Sequence, residues 1–229
     1  MGKKEIVRRS FASIAGSYDV LNTLLSFCAD KWWRREAIQA LGPSDKELLL
    51  DACAGTMLLG KGFVRRWADA KAVALDFSLE MLEKGMEKAK NSSVIPVCGD
   101  AERMPFRDET FDKVIVGFGI RNLADPQRGI EELFRVLKRG GRVVILEFGR
   151  PSLPVFKDLY RWYLSLVVDR LGGIISHQKE TYRYFYHSVM AFPEREEVVV
   201  MMKIAGFSQI RGREMTLGIT DLCIAQKAP

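Results

Sequence analysis

The chain has 229 residues, which suits one domain with an elaboration and lets about 70% of the unfolded surface be buried without a disulfide or metal staple. Four scattered cysteines, Cys28, Cys53, Cys98 and Cys223, form no CxxC or Cys/His pair, which argues against a zinc site or disulfide framework and for reduced thiols in a cytoplasmic protein. A net charge of +6 is dispersed among acids, so no nucleic-acid partner is expected; no signal peptide is read in MGKKEIVRRSF, and no run reaches the roughly 18 apolar residues of a membrane span.

Residues 1–46 read as a helical cover: FASIAGSYDVLNTLLSF places Phe11, Ile14, Tyr18, Leu21, Leu24 and Leu25 near one face, and DKWWRREAIQAL is a second helix ending at Gly42-Pro43. An alternating section, 47–150, follows. Strands 48–51, 72–76, 94–98, 112–118 and 142–148 are separated by helical patterns at 58–68 and 78–90 and in QRGIEELFRVLK, the last ending at Gly140-Gly141. After Pro151 the rhythm breaks: LYRWYLSLVVDRLGGII and ETYRYFYHSVMAF form an aromatic helical insertion, 151–190, over the ligand edge of the sheet. A helix at 194–205 and two strands then close the chain over 191–229 as an antiparallel hairpin. The pattern predicts a single α/β domain, Rossmann-like and doubly wound, with seven mostly parallel strands and an antiparallel last strand.

Three strands end on acids: Asp51, Asp76 and Asp100. A glycine-containing turn, ACAGT, follows the first, and Asp76 lies 21 residues beyond Gly55. Doubly wound sheets bind ligands beyond the carboxyl ends of their strands, and a second-strand acid there accepts ribose hydroxyls. The spacing therefore points to a nucleoside-containing cofactor, with helix capping as the alternative role for Asp76.

FASIAGSYDVLNTLLSF, LLLDACAGT, DFSLEML, GDAERMPF, GFGIRNLADP, EELFRVLKRGGRVVILEFGRP, YRYFYHSVMAFP, AGFSQIR and GITDLCIAQK resemble, nearly end to end, the class I S-adenosylmethionine-dependent methyltransferases. More narrowly, they resemble the quinone-ring C-methyltransferases of menaquinone and ubiquinone biosynthesis. The resemblance implies S-adenosyl-L-methionine as cofactor. Its methionyl part would lie on Asp51, Gly55 and Thr56, its ribose on Asp76, and its adenine between Phe77 or Met81 and the pair Asp100 and Ala101. Gly117 would give close access beside the sulfonium, or serve as a packing glycine. Tyr18 and Asn22 match an element that folds over the cofactor.

Arg121 and Asn122 would face the substrate, Arg121 stabilising a phenolate because a guanidinium is a poor base; a structural salt bridge is the alternative for Arg121. The substrate implied is a lipid quinol, demethylmenaquinol. The aromatic insertion suits a prenylated ring, a peripheral contact with the inner membrane face, or a homodimer interface. Another small-molecule methyltransferase (lipid, phenol or arsenite) and a non-catalytic cofactor-binding protein stay open. His177 and His187 have no partner at triad or metal spacing, and no metal is assigned.

Two departures from the family pattern stand out. DACAGTML replaces a loop resembling DxAGGTGD, so Met57 stands for a glycine and Leu58 for an acid, and Cys28 and Asp30 stand where the family has Gly and His. A glycine at 57 would admit close backbone approach and φ > 0, which methionine does poorly.

Overall fold

In the computed structural model, residues 2–43, 46–88, 92–151, 153–166 and 179–229 are described. At its centre is β1 (Leu48–Ala52), where Leu49 and Leu50 point into opposite cores and neither keeps any exposed surface. Burial on both faces is why this strand reads as an unbroken apolar run. Parallel strands β2 (Lys71–Asp76) and β3 (Val94–Cys98) extend the sheet one way, β4 (Phe111–Gly117) and β5 (Leu137–Phe148) the other. The hairpin β6 (Ser208–Met215) and β7 (Thr220–Gln226) completes the order β3-β2-β1-β4-β5-β7-β6, with β7 antiparallel to both neighbours. The chain runs outward from β1 to β3 and returns on the other side at β4. A crevice therefore opens at the carboxyl ends of β1 and β4, the switch point at which such sheets take ligands.

Helices α3 (Ala29–Ala40), α4 (Leu58–Arg66) and α5 (Leu79–Glu87) cover one face through Trp33, Ile38, Phe63 and Leu82. On the other face α6 (Pro126–Val136) buries Ile130 and Leu133, and α9 (Arg195–Ile204) buries Val198 and Met202. Local chemistry sets their starts. Ser78 accepts from Met81 N, Asp125 caps α6 with Pro126 at its first turn, and Glu194 and Glu197 form a reciprocal capping box. Above the crevice lie α1 (Lys3–Ile14), α2 (Tyr18–Leu25), α7 (Pro154–Leu166) and α8 (Lys179–Ala191), with Leu21 packed on Tyr182. The second half of LYRWYLSLVVDRLGGII, His177 and the end of the 78–90 helix lie outside the described residues.

One boundary differs from expectation. The helix before β5 ends at Val136, and the strand starts at Leu137 instead of 142. Leu137 is wholly buried and pairs with Phe111, so the strand must begin before the glycines; a register shift between Phe111 and Lys113 accommodates them. Gly140, at φ +72°, is thus a kink inside the strand, and an added Cβ at Gly141 would meet the Asp112 carbonyl at 2.9 Å.

Both family-glycine positions keep the left-handed backbone without glycine: Cys28 at φ +66° and Met57 at φ +61°. A left-handed L-residue costs about 1–2 kcal/mol. Cys28 is exposed, whereas the Met57 side chain is fully buried among Leu59, Phe63 and Leu82. Opposite responses follow from the same backbone. Denaturant unfolding of Cys28→Gly should show a gain of up to about 1 kcal/mol. Met57→Gly should lose about 2 kcal/mol, because the cavity left by a buried methionine outweighs relief of strain.

Candidate active site

Asp51, Gly55, Thr56, Asp76, Phe77, Asp100, Ala101 and Gly117 all line one cleft at the switch point, and Asn122 borders it. The cleft's geometry starts at Asp76, which is 8% exposed. Its Oδ2 accepts the Gly55 N–H at 2.7 Å and its Oδ1 the Ser78 N–H at 2.9 Å. One carboxylate thus clamps the turn after β1 to the turn after β2, and each oxygen retains a lone pair for a diol. Burial raises its pKa, opposed by those backbone donors.

Asp51 is more enclosed. Its Oδ2 accepts the Gly60 N–H at 2.8 Å, at the start of α4, and burial pushes its pKa up to about 8. The loop between them, with Cys53, Gly55 and Met57 all at positive φ, curls so that Gly55 and Thr56 face the cleft while Met57 turns into the core. Methionine therefore replaces the family glycine without filling the ligand space. The Thr56 hydroxyl donates to Asp19 Oδ1 at 2.6 Å, and Lys88 bonds Asp19 at 2.8 Å, so α2 is tied to this loop. At Gly117 an added Cβ would meet Leu59 Cδ1 at 2.5 Å, so this glycine serves packing as well as lining the cleft.

Asp100 lies at the other end. Its Oδ1 accepts the Glu102 N–H at 2.9 Å, and Lys4 of α1 bonds its Oδ2 at 2.6 Å and Glu102 at 3.0 Å. Burial raises the Asp100 pKa, but the Lys4 ammonium and the Glu102 N–H outweigh it and hold the carboxyl low. Helix α1 consequently lies across this end of the cleft, whose volume is about 130 Å³.

A second, larger chamber of about 580 Å³ adjoins the cleft, sharing Phe11, Tyr18, Arg34 and Phe118 with it. Its walls are apolar and aromatic, contributed by α2, α3, α7, α8 and β5. Arg121 opens onto this chamber, not onto the cleft. Its Nη1 bonds Glu147 Oε1 at 2.6 Å and the Phe118 carbonyl at 2.5 Å, and its guanidinium lies 5.1 Å from the Phe148 ring and 5.5 Å from that of Phe185. The salt bridge named as an alternative exists, yet it leaves the buried Arg121 Nε without a partner among the described residues. The Tyr160 hydroxyl, also in the chamber wall, is a second buried group without one. Tyr184 donates to Asn122 Oδ1 at 3.0 Å and so fixes the amide between the two spaces.

Lys4, Arg34 and Glu147 are not among the residues the sequence assigns to the site, because each lies far along the chain from the group it meets. Burial raises the Cys53 thiol well above its ordinary value, which makes it a poor thiolate ligand.

The sequence profile of the ubiE/COQ5 methyltransferase family matches residues 1–227. The chain is 39% identical to the ubiquinone/menaquinone biosynthesis C-methyltransferase UbiE of Geobacter sp. (strain M21), over 98% of this chain and 97% of that one. It is 38% identical to the demethylmenaquinone methyltransferase of Staphylococcus aureus (strain JH9), over 98% and 94%. Among solved structures, a SAM-dependent methyltransferase from Thermotoga maritima superposes with a TM-score of 0.71 at 20% identity, over 96% of this chain and 99% of that one. The phosphoethanolamine N-methyltransferase 2 of Haemonchus contortus bound to S-adenosylhomocysteine superposes at 0.65 and 16% identity, over 86% and 52%. These structural likenesses concern the fold.

The buried Asp51 makes stability depend on pH. Folded Asp51 keeps its proton up to about pH 8, whereas an unfolded aspartate loses it near 4, so its contribution to stability falls as pH rises across that window. Asp51→Asn keeps an acceptor for Gly60 and removes the titration. Its melting temperature should gain on the native protein from about pH 5 to about pH 8 and run parallel above. A pH-independent difference would show that Asp51 ionises normally in the fold.

Proposed function

The chain belongs to the ubiE/COQ5 methyltransferase family, and from that premise we propose that it methylates a ring carbon of a lipid quinol, demethylmenaquinol, using S-adenosyl-L-methionine. The observation that carries the substrate reading is the aromatic chamber beside the cleft, with two buried polar atoms, Arg121 Nε and Tyr160 Oη, that have no partner among the described residues. An unsatisfied buried polar atom costs about 1–3 kcal/mol, so two of them bordering one apolar space suggest a polar ligand atom between aromatic walls. A prenylated hydroquinone has that character: flat, greasy, and oxygen-bearing at the ring.

The cleft's residues fit the cofactor. Asp76 has lone pairs for the ribose, Asp100 and Ala101 border the adenine end, Phe77 and Met81 line its side, and Gly55 and Thr56 leave the amino-acid end open. When bound there, S-adenosyl-L-methionine supplies an electrophilic methyl group on a sulfonium. The protein's own part is positional and electrostatic. The guanidinium packs against the edge-to-face pair of Phe148 and Phe185, and Glu147 fixes its orientation, so the Nε–H is held without reorganisation. Donation from Arg121 Nε to a quinol oxygen favours the phenolate, which raises electron density at the adjacent carbon. Burial pushes the Tyr160 pKa up, so its hydroxyl stays protonated and acts as a second donor to the same oxygen. Phe118 and Tyr18, common to both spaces, form the wall past which carbon and methyl must meet. Residues 151–190 act in this reading as the substrate cover.

The chamber's rim supports a lipid route. Phe27 is 83% exposed and Trp162 61%, and Phe156, Leu159 and Leu217 flank them. Exposed apolar side chains around the mouth of a greasy chamber suit shallow insertion into a lipid surface. No described helix is long and apolar enough to cross a membrane.

In a methyl-transfer assay, demethylmenaquinol should turn over, with a demethylated benzoquinol as comparison. Tyr160→Phe should lower kcat/KM about tenfold without lowering the melting temperature, since the hydroxyl has no partner among the described residues. Arg121→Met, combined with Glu147→Gln to avoid stranding a buried carboxylate, should abolish turnover while calorimetry still shows cofactor binding. Cofactor binding by the native protein with no transfer to either quinol would refute the substrate assignment. A separate check addresses the rim: Phe27→Ser/Trp162→Ser should lose co-sedimentation with phospholipid vesicles and raise KM for a long-tailed quinol far more than for a short-tailed one.

A further inference from the structure

Two cations border the cofactor cleft, Lys4 and Arg34. Lys4 is at the adenine end and is committed to Asp100 and Glu102. Arg34, on α3, is at the opposite end: its charge acts on Asp51, and it borders the quinol chamber as well as the cleft. Its side chain is 13% exposed. Among the described residues its one acceptor is Asp30, one turn earlier on the helix, engaged through Nη1. Asp30 is itself buried and takes further hydrogen bonds from the Thr23 and Ser26 hydroxyls, each at 3.2 Å. That shell satisfies the carboxylate and holds the arginine in place, leaving Nε and Nη2 of the fork without a protein acceptor.

The amino-acid end of the cleft therefore offers one buried acid, Asp51, whose carboxyl would give up its proton beside a ligand ammonium, and one lining cation with donors to spare. A ligand group carrying both an ammonium and a carboxylate is the complement of that pair. A guanidinium fork matches a carboxylate with two parallel hydrogen bonds, which an ammonium cannot do. We propose that Arg34 is the anchor for the carboxylate of the methionyl group, binding the cofactor from the helical cover and not from the sheet. This rests on the S-adenosyl-L-methionine reading of the cleft. It also gives the position a second consequence: a cofactor carboxylate on Arg34 closes the boundary between cleft and chamber, so the cofactor itself would complete the wall against which the quinol packs.

Calorimetry with two ligands tests it: S-adenosylhomocysteine and its decarboxylated counterpart, which differ by the carboxylate alone. Against Arg34→Met, S-adenosylhomocysteine should bind about 30-fold more weakly, the loss of a charge-assisted pair, while the decarboxylated compound should change less than about threefold. Arg34→Lys should recover part of the difference. The double variant Asp30→Asn/Arg34→Gln, which leaves no buried charge unpaired, should reproduce the selective loss if the single variant does not fold. Equal losses for both ligands would reduce Arg34 to a strut for α3, and no loss for either would send its charge to the quinol side; each overturns the proposal. Failure of the native protein to bind either ligand would instead reject the cofactor reading on which it rests.

Discussion

Asp76 accepts backbone N–H groups from Gly55 and from Ser78, at 2.7 and 2.9 Å, and so joins the turns that follow β1 and β2. Together with the Ala54 N–H, which donates to the Leu75 carbonyl at 2.9 Å, that carboxylate fixes the ACAGT loop against the second strand and shapes the rim of the cleft. A nearly buried acid is expensive, and these backbone donors offset its desolvation. The remaining groups of the cleft are arranged around this clamp: Asp51 secures the start of α4 through Gly60, and Asp19 reaches down from α2 to Thr56.

The chamber is organised by a different buried interaction. Arg121 follows β4 and Glu147 lies near the end of β5, neighbours because those strands pair in parallel. Such an ion pair is weak evidence of stability, since desolvation of both partners opposes their attraction. Its value here is orientation. Packed against the edge-to-face rings of Phe148 and Phe185, the guanidinium is held with its Nε–H free of any acceptor among the described residues, and Arg121 borders an apolar space large enough for a ring.

Met57 shows how a family feature can be lost and its geometry kept. The backbone at 57 still turns left-handed, and the methionine side chain is drawn into the core between α4 and α5, where its burial offsets the strain of the turn. Cys28 carries a comparable backbone strain on the surface, without burial to offset it. The altered loop thus keeps its path, and Gly55 and Thr56 still face the cleft.

Apolar runs ending on acids, helical spacing and cap residues are local properties of the chain, and from them the order of strands and helices and the gathering of Asp51, Asp76 and Asp100 at one rim of the sheet were legible. The start of β5 was misplaced because Gly140-Gly141 is a stop signal by local rules, whereas the burial of Leu137 against Phe111 belongs to the sheet. Lys4 bonded to Asp100, the Arg34 charge acting on Asp51, and the Arg121 charge acting on Tyr160 join residues separated by some 17 to 96 positions. Periodicity tells which face of a helix is greasy, but not which distant strand end that face will cover. That choice is made when the layers pack, and packing alone decided that the helical cover brings charge to the cleft and aromatic rings to the chamber.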